Sequence, residues 1–427
     1  MRYNTHTLAN GLRIIHLPSA SPVVYCGYGI AAGTRNELPG EEGLAHFCEH
    51  AAFKGTARRR AWHIMNCLER VGGDLNAFTN KEDTMYHAAI LKDDIGRAVD
   101  LLTDIVFRSQ YPQAELDREV EVICDEIESY NDTPAELIYD EFENLLFAGH
   151  PLGHNILGAA GRLRTYRSAD LRRFAARHYR PANAIFFAYG DLDFARLVRL
   201  LERHTADIAA PPAARAAAGA AAGAAIPGAP AAGAGAGPLP PYCPQEAVVQ
   251  RPTHQAHVMM GNRTFPVTDS RRIALYLLNN ILGGPGMNAR LNLSLRERNG
   301  LVYAVESSMA SYSDTGVWCV YFGCDPHDAA RCRRLVRREL DRMAGCELTP
   351  SQLRAAKKQL KGQIAVACDS RESFALDFAK SYLHRGWEKD VSRLFAQLDA
   401  LTATELQQVA AQVFDPGLMT TLVFSPG

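Results

Sequence analysis

Two kinds of hydrophobic pattern alternate along this 427-residue chain. Short apolar runs such as RIIHL (Arg13–Leu17), VVYCGYGI (Val23–Ile30) and AIFFAYG (Ala184–Gly190) are closed by Gly, Pro or Asp and read as buried strands. Longer stretches with apolar positions every three or four residues read as amphipathic helices. From Glu82 to Phe107 an Asp-Thr turn leads into a short strand, an acidic turn and then a helix. From Ser313 to Leu340 the same succession returns. Setting Asp83 on Asp314 also sets Asp94 on Asp325. The long helix that follows in the first half, ending in an Asp-containing break, has a counterpart in SQLRAAKKQLKGQIAVACDSRESF. The pattern predicts a duplicated α+β fold, each half a mixed antiparallel sheet packed with helices in an α/β sandwich.

Between the halves, residues 209–245 are dominated by Ala, Gly and Pro, with no apolar period to pack. This composition predicts a linker, which divides the chain into domains 1–208 and 246–427. A hydrophobic content of 47% can build two cores, and a net charge of −1 gives no reason to expect nucleic acid or an anionic membrane as partner. The start of the chain reads as strand rather than as a secretory or organellar leader, and no apolar run is long enough for a membrane span. The ten Cys form no C-x-x-C pair. Several lie in apolar surroundings (Cys26, Cys124, Cys319) and read as reduced thiols of a cytoplasmic protein.

The chemistry lies in GLAHFCEHAAFKGT. His46 and His50 are four apart, so a helix presents both imidazoles on one face, where they can share a metal ion. Glu49, one residue before the second His, can address a water on that metal. This H-x-x-E-H order inverts the H-E-x-x-H of many zinc proteases. Cys48 falls on the opposite helix face and reads as a core thiol. At the spacing that superposes the halves, Leu277 and Ile281 stand opposite His46 and His50, so metal chemistry is confined to the first half. A catalytic zinc site needs a third protein ligand. A helix over about Ala114–Tyr130 offers Glu115, Glu119, Glu121, Glu126 and Glu128, of which Glu119 and Glu126 share a face.

With these motifs the chain resembles the pitrilysin/insulinase-like inverzincin metallopeptidases, which include the subunits of the mitochondrial processing peptidase. The family's E-x6-E element falls on Glu119 and Glu126, its substrate-edge segment on VGGDLNAFTNKEDTMYH, and its R-x6-Y element on Arg296 and Tyr303. The resemblance implies one Zn²⁺ per chain held by His46, His50 and Glu126. It implies Glu49 as general base, and Glu119 as an acid that acts through a ligand. It implies Asn76, Ala77 and Phe78 as an edge strand that pairs with extended substrate, and Arg296 and Tyr303 as substrate-contacting donors. The turn LGGPGM (Leu282–Met287) resembles a glycine-rich substrate loop of the family.

The family assembles a chamber from four such domains, so a two-domain chain is expected to form a half-shell. That implies a homodimer whose sites are shared between chains, or a pairing with a metal-free homologue. The expected activity is hydrolysis of unfolded peptides in that enclosed chamber. The alternatives are a specialised precursor-processing peptidase and a non-catalytic scaffold subunit.

Overall fold

A computed structural model describes residues 2–208 and 237–426. Most of the linker predicted over 209–245 therefore lies outside the described residues. The described chain divides into two compact units.

The first unit comprises the described residues up to Ile127, those from Asn155 to Ile208, and Ala367–Asp390. Its sheet has six strands: β1 (Asn4–Thr7), β2 (Arg13–Pro18), β3 (Val23–Ile30), β4 (Asp74–Thr79), β5 (Thr84–Leu91) and β6 (Ala184–Gly190). They run side by side in the order β1-β2-β6-β3-β5-β4. Only β2 and β6 pair in parallel; the other neighbours are antiparallel. The inner strands β3, β5 and β6 are almost wholly buried, which explains their nearly unbroken apolar sequences.

One face of this sheet packs Val24, Cys26, Tyr28, Tyr86 and Phe186 against the helices Leu44–Ala52 and Ile95–Phe107. The other face is covered by the helix Arg371–Arg385, which lies over β3 and β6. There Phe378 packs edge-on against Tyr3 and Phe187, and Phe374 lies tilted against Tyr189. Arg13, fully buried in β2, donates from Nη1 to the Tyr382 carbonyl (3.0 Å) and from Nη2 to that of Leu383 (2.9 Å). The Leu383 carbonyl lies in the last turn of the helix, whereas that of Tyr382 also accepts from the Gly386 N–H (2.9 Å).

The second unit comprises Glu128–His154, Gly237–Val366 and the residues from Val391 to Pro426. Its five strands are β7 (Glu246–Arg251), β8 (Ala256–Thr264), β9 (Val302–Ser311), β10 (Gly316–Cys324) and β11 (Thr420–Pro426), ordered β7-β11-β8-β10-β9. The helix Pro134–Leu146 supplies Leu137, Ile138, Phe142 and Leu146 to a core with Met259, Val317, Leu422 and Phe424. Tyr242 is tied to this unit by hydrogen bonds from its hydroxyl to the Leu418 carbonyl and with Thr420 Oγ1.

The order β7-β11-β8-β10-β9 repeats β2-β6-β3-β5-β4, and β7/β11 is again the parallel pair. The three antiparallel pairs that follow in each order are repeated too, and among the described strands only β1 has no counterpart. The duplicated α+β sandwich read from the sequence is therefore present. One detail of the expected superposition changes. Asp94 stands immediately before the helix Ile95–Phe107, and the residue immediately before Ala329–Gly345 is Asp328, not Asp325. The second copy is longer here, with nine residues in β10 against eight in β5 and an added residue, Asp325, before its turn.

The units do not follow the two halves of the chain strictly. Pro134–Leu146 belongs to the second unit and its counterpart Arg371–Arg385 to the first. Each half lends the other the helix that covers one face of its sheet.

Candidate metal centre

The helix Leu44–Ala52 begins at Gly43, whose φ of +85° is left-handed and favours glycine. A Cβ there would also stand 2.8 Å from the Leu157 carbonyl oxygen. The buried Glu37 carboxylate accepts from the backbone N–H groups of Gly43 (3.1 Å) and Ala45 (2.7 Å). A carboxylate at this end satisfies open donors and is attracted by the positive end of the helix dipole. Glu37 thus anchors the helix that carries the H-x-x-E-H residues.

One turn apart, His46 and His50 bring their rings to 4.5 Å between centroids. Glu126 reaches them from the helix Gln113–Asn131: its Oε2 lies 3.9 Å from His46 Nε2 and 3.6 Å from His50 Nε2. One donor atom from each of the three lies within 4.8 Å of the others. Among the described residues no other His, Cys, Asp or Glu group closes in this way. Tetrahedral zinc with bonds of about 2.0 Å needs donors about 3.3 Å apart, so small side-chain rotations suffice. Two nitrogens and a carboxylate oxygen are a donor set that suits zinc. His46 Nδ1 is buried and makes no hydrogen bond, which leaves Nε2 as that ring's polar contact with the cluster.

The electrostatics favour a neutral imidazole at His46. Burial and the adjacent His50 press its pKa down to about 3. For His50, burial lowers the pKa, but the hydrogen bond to Glu119 and the carboxylates of Glu49, Glu126 and Glu119 more than offset it, and the net direction is up. His50 Nδ1 donates to Glu119 Oε1 at 3.0 Å, and Lys54 Nζ lies 2.6 Å from Glu119 Oε2. Burial would raise Glu119; His50 and Lys54 outweigh it and hold the carboxyl below the usual range. An ionised Glu119 fixes the His50 ring so that Nε2 faces Glu126.

Glu49 is different. It is 7% exposed, and its Oε2 lies 4.0 Å from His46 Nε2. Burial raises its pKa to about 7, against the opposing influence of His50 and of a 3.2 Å hydrogen bond donated by Thr79 Oγ1. A carboxylate near neutrality can both take and return a proton at physiological pH. Cys48 is wholly buried, with Sγ directed at the Leu171 carbonyl, as its helix position implied.

Asn76, Ala77 and Phe78 lie in β4, an edge strand of the first sheet with no described strand on its outer side, where the Ala77 N–H donates to Asn76 Oδ1 (2.8 Å). Arg296 and Tyr303 belong to the second unit, where the guanidinium carbon sits 5.7 Å from the Tyr303 ring centre. Tyr303, in β9, is 83% exposed. Leu277 and Ile281 lie in the helix Arg271–Gly283, the second unit's counterpart of the H-x-x-E-H helix. Sequence reasoning did not single out Glu37, Lys54 or Thr79. The Lys of FKGT lies four residues after His50, a spacing that could have pointed to Lys54.

A family model for insulinase (peptidase family M16) matches residues 14–160, and one for the peptidase M16 inactive domain matches residues 166–360. The chain is 33% identical over 419 residues to an uncharacterized zinc protease of Streptomyces coelicolor, covering 95% of this chain and 86% of that protein. It is 28% identical to the uncharacterized zinc protease YmxG of Bacillus subtilis, covering 99% and 98%. Its fold matches the crystal structure of a protease from Helicobacter pylori with a TM-score of 0.87 at 22% identity, over 100% of this chain and 99% of that one.

Proposed function

We propose that this chain, which belongs to the insulinase family of peptidases (family M16), is a zinc-dependent endopeptidase acting on unfolded peptides. The observation that carries the reading is the meeting of three metal-type donors, from His46, His50 and Glu126, with a buried carboxylate, Glu49, beside them. The inactive-domain match over the second half agrees with apolar Leu277 and Ile281 in the place of ligands. When bound, zinc supplies Lewis acidity, lowering the pKa of water toward about 7 and polarising a carbonyl. His46, His50 and Glu126 hold it, and Glu119 orients His50.

Glu49 takes the proton from the attacking water and passes it to the leaving amine. Burial raises its pKa and a bound cation would lower it again, so the carboxylate stays charged and ready to accept the proton. The unpaired edge of β4, at Asn76, Ala77 and Phe78, receives an extended peptide by strand addition. Backbone pairing of this kind binds varied sequences, which suits a general oligopeptidase better than a processor of one precursor. Arg296 and Tyr303 serve as donors toward the scissile carbonyl or the substrate backbone. In this reading they act across a homodimer on the site of the partner subunit, within an enclosed chamber.

Two experiments test the reading. Glu49→Gln should keep its zinc and lose turnover by several orders of magnitude; near-normal turnover would refute the assignment of the base. Mixing Glu49→Gln with Arg296→Ala subunits should restore activity if sites are shared, and should leave both dead if each site is built within one chain.

A further inference from the structure

We infer that Thr79 is the positioning residue of the general base, and that through it the substrate-pairing strand and the catalytic carboxylate form one rigid element. The inference rests on the peptidase reading of the site and adds to it a residue and a coupling.

Thr79 is the last residue of β4 and is 8% exposed. Its Oγ1 donates to Glu49 Oε2 at 3.2 Å, and both groups are buried. Side chains alternate along a strand. Phe78 turns to the face covered by Arg371–Arg385, where Lys380 Nζ lies 4.7 Å from its ring centre, and Thr79 turns to the metal helix. A carboxylate has two oxygens and rotates freely unless something fixes it. Thr79 holds the oxygen nearer His46 Nε2 and so fixes the rotation of the carboxylate beside the metal ligands.

The end of β4 is itself held firmly. Thr79 pairs with Thr84 across the hairpin. In the turn between them, the Asn80 N–H donates to the Asp83 carbonyl (2.7 Å) and Asn80 Nδ2 to Asp83 Oδ1 (2.6 Å). Asp83 is buried, with Oδ2 2.9 Å from His384 Nε2 and Oδ1 3.7 Å from Lys380 Nζ. The backbone of Thr34 and Arg35 donates to the carbonyls of Asn80 and Lys81. Clamped on both sides, Thr79 cannot follow Glu49 if the carboxylate swings. An extended peptide laid along Asp74–Thr79 would therefore be placed in fixed register with the base.

The test compares wild type, Thr79→Val, Thr79→Ala and Thr79→Ser on a fluorogenic peptide, with zinc content measured on each. Thr79→Val keeps the shape and removes the donor. It should lower kcat at least ten-fold, with KM within two-fold of wild type and full zinc, whereas Thr79→Ser should recover to within three-fold. Thr79→Val within two-fold of wild type would overturn the inference. So would Thr79→Ser as impaired as Thr79→Val, or a loss carried by KM. If Thr79→Val and Thr79→Ala both lose fold or zinc, the residue is structural and the inference is likewise overturned. A zinc-loaded wild type with no activity would instead overturn the peptidase reading.

Discussion

Replacing Glu49 by Gln should stabilise the metal-free protein, and only at higher pH. Burial lifts the Glu49 pKa from 4.5 to about 7, so the native state binds this proton more tightly than the unfolded chain does. The pKa gap corresponds to about 3 kcal/mol. For a group raised in the folded state, the stabilising contribution is fully present below the unfolded value and is lost as pH rises through the folded one. The wild type should therefore lose about 3 kcal/mol relative to Glu49→Gln between pH 4.5 and pH 8. Any fixed effect of the amide is common to both ends of the range and cancels. Urea denaturation of both proteins in EDTA at the two pH values reads this difference, and a carbon-13 NMR titration of the glutamate carboxyls locates the proton directly. A gap between the two proteins that stays constant with pH would refute the reasoning, because it would mean that Glu49 titrates like a solvated carboxyl. The result bears on function: a base held near neutrality by burial is an energetic cost that the metal site carries.

Other consequences are also open to measurement. Arg13→Met should lower stability by about 3 kcal/mol in urea, because two charge-assisted bonds to buried carbonyls are lost; a change below about 0.5 kcal/mol would show that these bonds do not hold the helix Arg371–Arg385. Residues 1–208 produced alone should aggregate, since Phe187 and Tyr189 lose the cover of Phe374 and Phe378. Co-produced with residues 237–427 they should co-purify as one folded assembly; a folded, monomeric 1–208 would contradict this. Glu119→Gln should weaken zinc binding by about 10–100-fold in a chelator competition, as expected for a group that orients a ligating histidine; an unchanged affinity would leave Glu119 as no more than an acidic helix face.

Much of the site was legible because helical spacing alone places His46, Glu49 and His50, and the resemblance pointed to Glu126 on a second helix. The duplication was legible for a similar reason: strand, turn and helix recur in order, and neighbouring strands in a sheet follow a few allowed orders. What could not be read depends on contacts between residues far apart in the chain. Arg371–Arg385 and Pro134–Leu146 are each amphipathic, and nothing in either period says which sheet it covers. The exchange is fixed by partners such as Arg13 with Leu383 and Phe142 with Phe424. Glu37 reads as one acid among several before a glycine, and only the folded loop turns its carboxylate onto the helix end. Thr79 in β4 reads as an ordinary β-branched strand residue until the sheet carries its hydroxyl to Glu49.

The most direct test of the metal centre is zinc K-edge X-ray absorption of the purified protein, with Glu126→Ala alongside. One zinc per chain, ligated by two imidazole nitrogens with oxygen completing the shell, and lost or loosened in Glu126→Ala, is the predicted result. A sulfur ligand, an all-oxygen shell, or zinc bound equally well without the Glu126 carboxylate would contradict the site assigned to His46, His50 and Glu126.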